Sequence, residues 1–214
     1  MRNQPASDPR APRERLLDAA TRLFCRHGIT ATGIDLVVAE AGVAKTTLYK
    51  AFGSKERLVE AVLDREGLAW RDWFFAATSV PGQDAAGRLR AVFPALKEWF
   101  GRAEFYGCPF INAVGEHDKG EDRLRTITLH HKRLVLDHLS ALASEAGCQK
   151  PEALAHQIGL LMDGATVAAL VTRDCGVADA AGGVVEALLA SLVPSVTARR
   201  RRHGSETAPS LLAS

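Results

Sequence analysis

The chain contains no run of about 18 apolar residues, the least that would span a bilayer, so no membrane crossing is expected. Its opening, MRNQPASDPRAP, has no apolar core and does not read as a secretory signal. Cysteine is sparse. Cys25, Cys108, Cys148 and Cys175 lie far apart with no CxxC pair, which points to a reduced, cytoplasmic compartment. No His/Cys/Asp set stands at metal-ligand spacing, and no Gly-rich phosphate loop, nucleophile elbow or paired-acid motif occurs. Neither a metal, a cofactor nor an enzymatic activity is therefore expected. No segment alternates apolar and polar residues with period two, so no strand is predicted and the fold class is all-α.

What is present is ordinary in bulk and uneven in distribution. Hydrophobic residues make up 47% of the 214 and charged residues 24%, as in a globular protein without wholesale disorder. Residues 1–57 hold ten Lys/Arg against six Asp/Glu, residues 58–198 thirteen against eighteen, and 199–214 four against one. A basic N-terminal module followed by an acidic body is the asymmetry expected if only the first part meets a polyanion.

Helical periodicity divides the chain further. Leu16, Ala20, Leu23 and Phe24 share one face of a helix from about Arg13 to His27, with Gly28 placed to end it. A second helix begins after Thr32, where Thr32-x-x-Asp35 resembles a capping box, and turns Ile34, Val37 and Val38 inward. Lys45 to about Phe52 forms a third, with Leu48 and Phe52 facing inward. Further helices are predicted over 54–78, 84–100 (kinked or interrupted at Pro94), a short stretch from Pro109, 121–146, 151–173 and 178–193. The division expected is a disordered leader over 1–11, a small helical domain over 12–57, a larger helical domain over 58–196, and a disordered basic tail over 197–214.

The chemistry concentrates in Gly33 to Phe52, GIDLVVAEAGVAKTTLYKAF. Two short helices flank the Ala41-Gly42-Val43 turn, a helix-turn-helix whose second helix can enter a major groove. Lys45, Lys50 and Lys55 can neutralise phosphates. Thr46 and Thr47 can reach phosphate or base edges, and Tyr49 can hydrogen-bond a backbone oxygen.

The stretch RERLLDAATRLFCRHG…GIDLVVAEAGVAKTTLYKAFGSKERLVEAVL, roughly residues 10–65, resembles the N-terminal domain of the TetR family of transcriptional repressors. Its A-G-V-x-K-x-x-L-Y-x-x-F core carries the likeness. The resemblance implies an all-α homodimer, with a three-helix DNA-binding domain, a long fourth helix, and a divergent domain for ligand and dimerisation. It also implies that Thr32, Lys45, Thr46, Thr47, Tyr49, Lys50 and Lys55, with Gly33 opening the motif, fall where the family contacts double-stranded operator DNA. Ala44 stands where a capping Ser is frequent, Thr46 where Gly is frequent and Ala51 where His is common, which leaves the operator sequence open. Gly107-Cys108-Pro109-Phe110-Ile111-Asn112-Ala113 followed by Glu116, and Leu161-Met162-Asp163-Gly164-Ala165, resemble segments of the C-terminal domain in one branch of the family.

In the body, Leu154, Ile158, Leu161, Ala165, Ala168 and Thr172 make a continuous seam, and Val184, Val185, Leu188, Leu189 and Leu192 repeat the theme. These helices are expected to pair with their copies across a twofold axis, or else to be buried within one subunit. Leu124, Ile127, His131, Leu134, His138 and Leu142 share a stripe. Its histidines, about 10.5 Å apart along the axis, either line a ligand cavity or are bonded within the core. Trp73, Phe93, Phe110, Asn112, His131, His138, Met162 and Asp163 are the candidate lining of an apolar effector pocket. Cys108, with His117 nearby, offers a rival reading as the nucleophile of a helical enzyme. The Arg199–Arg202 run either adds phosphate attraction or is a solvated tail. The reading favoured is a dimeric repressor released from its operator by a small apolar effector.

Overall fold

A computed structural model describes residues 10–117 and 122–192. Most of the leader, and the whole tail with its arginine run, lie outside the described residues. Among these residues the chain forms ten α-helices and no strand. They are α1 (Pro12–His27), α2 (Ile34–Ala41), α3 (Lys45–Phe52), α4 (Lys55–Ala77), α5 (Ala85–Arg90), α6 (Val92–Phe100), α7 (Pro109–Glu116), α8 (Asp122–Glu145), α9 (Pro151–Thr172) and α10 (Val177–Leu192).

The first three helices close on one core. Leu16, Leu17 and Ala20 of α1 meet Val37 and Ala41 of α2 and Leu48 and Phe52 of α3, all buried. Gly42 takes φ +62°, a conformation that a β-carbon disfavours. That turn lets the Val43 N–H reach back to Val38 O at 3.1 Å and satisfies a carbonyl at the end of α2. Gly28 ends α1 at φ +86°, with its N–H on Phe24 O. The capping box expected at Thr32 does not form. Gly33 stands at the N-cap of α2 with no side-chain cap. Thr32 is fully buried and donates its hydroxyl proton to Gly28 O at 2.6 Å, where it satisfies a carbonyl just past α1.

The stretch 84–100 is interrupted rather than kinked and forms two helices. Asp84 caps α5 through the Gly87 N–H at 2.7 Å. The chain then breaks at Ala91, one turn before Pro94, because proline offers no N–H to the carbonyl of residue 90 and its ring crowds that carbonyl.

Packing divides the chain into two compact units, but not at residue 57. One unit runs through Asp72 and takes in Tyr106–Lys132; the other comprises Trp73–Phe105 and the residues from Arg133 onward. Phe110 and Ala113 of α7 and Leu124 of α8 belong to the same apolar core as α1–α3, which no local pattern announces. Two of the three dividing points fall inside α4 and α8, so each of these helices contributes to both units.

In the second unit α10 packs on α5, α6 and α9. Helix α9 bears on two expectations. Although no unbroken apolar run exists, α9 is long and apolar enough to cross a membrane by length and composition, with mean hydropathy 1.4 over its best window. Part of that hydrophobicity serves packing, since Leu154, Ala155, Ile158, Met162, Ala165 and Ala169 are buried. The seam expected to meet a second subunit is thus largely turned into its own unit: Leu154, Ile158 and Ala165 are buried, and of its members Thr172 is exposed. A second seam faces outward, with Leu160 74% exposed, Val167 46% and Val171 76%, and with Gly164 between them. On α10, Val185 and Leu189 point inward, whereas Ala180, Gly183, Val184, Ala187 and Leu192 are exposed.

Candidate nucleic-acid interface

Helix α3 is anchored by Leu48 and Phe52 and leaves Lys45, Thr46, Tyr49 and Lys50 exposed, with Thr47 half-buried. Inward Leu48 and Phe52 are four residues apart, so the helix can present only its opposite side, and that side carries two lysines, hydroxyls and no carboxylate. Lys55, half-buried, opens α4, where Ser54 Oγ accepts the Arg57 N–H at 3.3 Å. Gly33 is exposed with open space around it. Of the expected DNA contacts Thr32 is the exception. Its side chain is fully buried and supports the α1–α2 turn, whereas the others are exposed or half-buried.

One neighbour escaped sequence reasoning. The Asp35 carboxylate, from the first turn of α2, sits 2.8 Å from Lys45 Nζ. Its hydrogen bond and charge hold the Lys45 ammonium above the usual lysine pKa. Ala44 precedes α3 without a side-chain acceptor, as the absence of Ser at that position implied.

Beneath this face α7 is fastened to the α1–α2 turn. Glu116 Oε2 accepts the Thr30 N–H at 2.9 Å, and Thr30 Oγ1 donates to Glu116 O at 3.4 Å. The same carboxylate lies so close to Gly28 that a β-carbon there would stand 2.9 Å from it. Alongside is a small cleft of about 20 Å³, lined by Phe24, Cys25, Val59, Leu63, Asn112 and Glu116 among others. That is room for about one water and far below a drug-sized ligand. Burial, with Glu66 and Cys108 contributing, pushes the Cys25 thiol up to about 11. Cys108 precedes α7 and packs half-buried against the same core. His117 Nδ1 lies 2.7 Å from Ala113 O, so that nitrogen is engaged with its own helix.

The eight pocket candidates fall into two sets. In the first unit, the Phe110 ring stacks on the His131 imidazole with centroids 4.0 Å apart, and Trp70 meets that imidazole edge-on at 5.7 Å. Arg71 Nη1 lies 2.9 Å from His131 Nδ1, so the neutral ring accepts there. Gly67 permits this closeness, because a β-carbon would come within 2.7 Å of Phe110 Cζ. Asn112 donates to Tyr106 O at 3.0 Å. In the second unit, His138 bonds Thr78 Oγ1 at 3.0 Å and stacks on Phe75 at 4.2 Å. The Arg102 guanidinium covers the Trp73 ring at 4.5 Å. Phe93 and Met162 are buried, and Asp163 is half-buried. Both histidines are thus hydrogen-bonded and ring-stacked within their units.

His131 carries a consequence for stability. Burial, then the charges of Arg71, Lys132 and His130, lower its pKa from 6.5 to about 3. Below about pH 6.5 the unfolded chain takes a proton that the folded chain refuses, so this group makes stability fall as the pH drops, by up to about 1.4 kcal/mol per unit. Urea unfolding at pH 7 and pH 5 should show a loss of about 2 kcal/mol from this source. The His131→Phe variant should lack that increment, and an unchanged pH dependence would assign it elsewhere.

A short cationic helix, held outward by a tight glycine turn on an otherwise helical chain, defines a protein of the helix-turn-helix class. The sequence profile of the bacterial regulatory proteins of the tetR family matches residues 16–62. SCO4454, a TetR-family transcriptional regulator from Streptomyces coelicolor, superposes with a TM-score of 0.77 at 34% identity, over 85% of this chain and 95% of that one. The chain belongs to the TetR family. Among curated relatives it is 40% identical over 63 residues to the HTH-type transcriptional repressor SCO4008 of Streptomyces coelicolor, covering 29% of this chain and 33% of that one. It is 33% identical over 108 residues to the HTH-type transcriptional repressor KstR2 of Mycolicibacterium smegmatis, covering 47% and 50%. These matches therefore span a third and a half of those repressors.

Proposed function

We propose that the protein is a transcriptional repressor that binds double-stranded operator DNA as a homodimer and leaves it when a small apolar effector binds. The observation that carries the reading is α3: Leu48 and Phe52 are buried while Lys45, Thr46, Tyr49 and Lys50 face outward. Such a helix supplies phosphate neutralisation and base-edge contact together. Relatives named as transcriptional repressors add weight. So do the outward seams of α9 and α10, which are apolar enough to bury against a second copy. In that dimer two copies of α3 would enter successive major grooves of a pseudo-palindromic site.

The effector would favour a conformation whose reading helices are wrongly spaced for DNA, with α4 and α8, each shared between two units, as the elements that carry the change. The protein would act in the cytoplasm, without a cofactor and without catalysing a reaction. Incubating it with sheared genomic DNA and sequencing the retained fragments should yield a recurring inverted repeat upstream of genes. Retention with no shared sequence, weakening steeply and uniformly with salt, would make it a non-specific binder instead.

A further inference from the structure

We infer that Asp35 is a positioning residue that restrains DNA binding: its carboxylate holds Lys45 until a backbone phosphate takes its place. The inference rests on α3 being the DNA-reading helix. Helix α3 starts poorly by itself. Ala44 gives its first N–H groups no side-chain acceptor, and Lys45 puts a cation at the positive end of the helix dipole. The Asp35 carboxylate, ten residues earlier and 2.8 Å from Lys45 Nζ, supplies the missing negative charge from the neighbouring helix. A nearby alternative is engaged, since Glu40 pairs with Arg22 at 3.0 Å.

The pair is open to solvent, with Asp35 81% and Lys45 51% exposed. Such a pair is held weakly, and a phosphate oxygen offers the same ammonium an equivalent partner without the protein giving up anything buried. Asp35 thus lowers affinity for any duplex, irrespective of sequence, and removes up to one lysine from the count of neutralised phosphates. Base contacts from Thr46 and Thr47 would stand apart from this exchange.

The test is fluorescence anisotropy with a random-sequence duplex across a series of salt concentrations, on the full chain and on Asp35→Asn, Lys45→Ala and the double variant. Asp35→Asn should bind about fivefold tighter, the size of one exposed ion pair. Its plot of log affinity against log salt should steepen by up to about 0.9. In the Lys45→Ala background the same change should have almost no effect, because the carboxylate acts through that lysine. Unchanged or weaker binding by Asp35→Asn would overturn the inference, as would a gain that persists without Lys45. A loss confined to a selected operator would also overturn it, by making Asp35 an acceptor for a base amino group. Wild-type protein that binds no duplex at low salt would defeat the reading of α3 itself, whereas wild-type binding with Asp35→Asn unaltered defeats this inference alone.

Discussion

Glutamate at both Lys45 and Lys50 should reduce operator affinity by at least about 100-fold near 0.1 M salt and flatten its salt dependence by about one to two units of slope. Each lysine is exposed on the outward side of α3 and would account for up to one neutralised phosphate, worth about 0.9 in that slope, with Lys45 contributing less while Asp35 holds it. Reversal also sets two carboxylates against the DNA. The helix itself should survive: Leu48 and Phe52 remain buried beneath it, and an acid at position 45 suits the positive end of the dipole better than a lysine. Anisotropy titrations over several salt concentrations measure the slope, and a thermal melt matching the parent's separates lost contacts from lost structure. An unchanged slope would mean that other cations meet the phosphates.

Aspartate at Leu160 and Val171 should leave each chain folded yet separate. These two side chains, 74% and 76% exposed, dominate the outward seam of α9 and touch little within their own subunit. Two carboxylates per copy would face two more across a twofold axis, where charge is costly to bury. Sedimentation should then report a mass near the 23.0 kDa of a single chain. Operator affinity should fall by about a thousandfold, the usual gap between specific and non-specific binding, since a monomer reaches half a site. A dimer that persists would shift the interface to another surface. The more conservative Gly164→Ala tests the same seam gently, because the added methyl meets open space within the subunit.

Much of this architecture was legible from spacing and end signals alone. Leu16, Leu48 and Phe52 announced their burial, and Gly42 its turn, because local sequence determines those choices. Pro94 gave away a break, though not its place, since a proline acts on the carbonyl four residues upstream. Helix α9 misled for a physical reason. It is apolar on two sides, so Leu154-Ile158-Leu161-Ala165 and Leu160-Gly164-Val167-Val171 satisfy the same periodicity. Spacing cannot say which seam a neighbour in the same chain has already taken.

At the DNA face the polar residues of α3 were identifiable by their helical positions, whereas Thr32 and Asp35 were not. Thr32 looked like a cap and a contact, but the Gly28 carbonyl claimed its hydroxyl. Asp35 looked like half of that cap, but its partner lies on another helix. Glu116 was noticed only as part of a recurring segment, because its partner Thr30 lies 86 residues away along the chain.

That last attachment bears on how far the reading head can stand alone. A fragment stopping at residue 57 would keep all three short helices yet forfeit Val59, Val62, Leu63, Phe110 and Ala113 from their shared core, together with the acid that clasps Thr30. The compact unit that holds these helices is assembled from two stretches separated by more than thirty residues of intervening sequence.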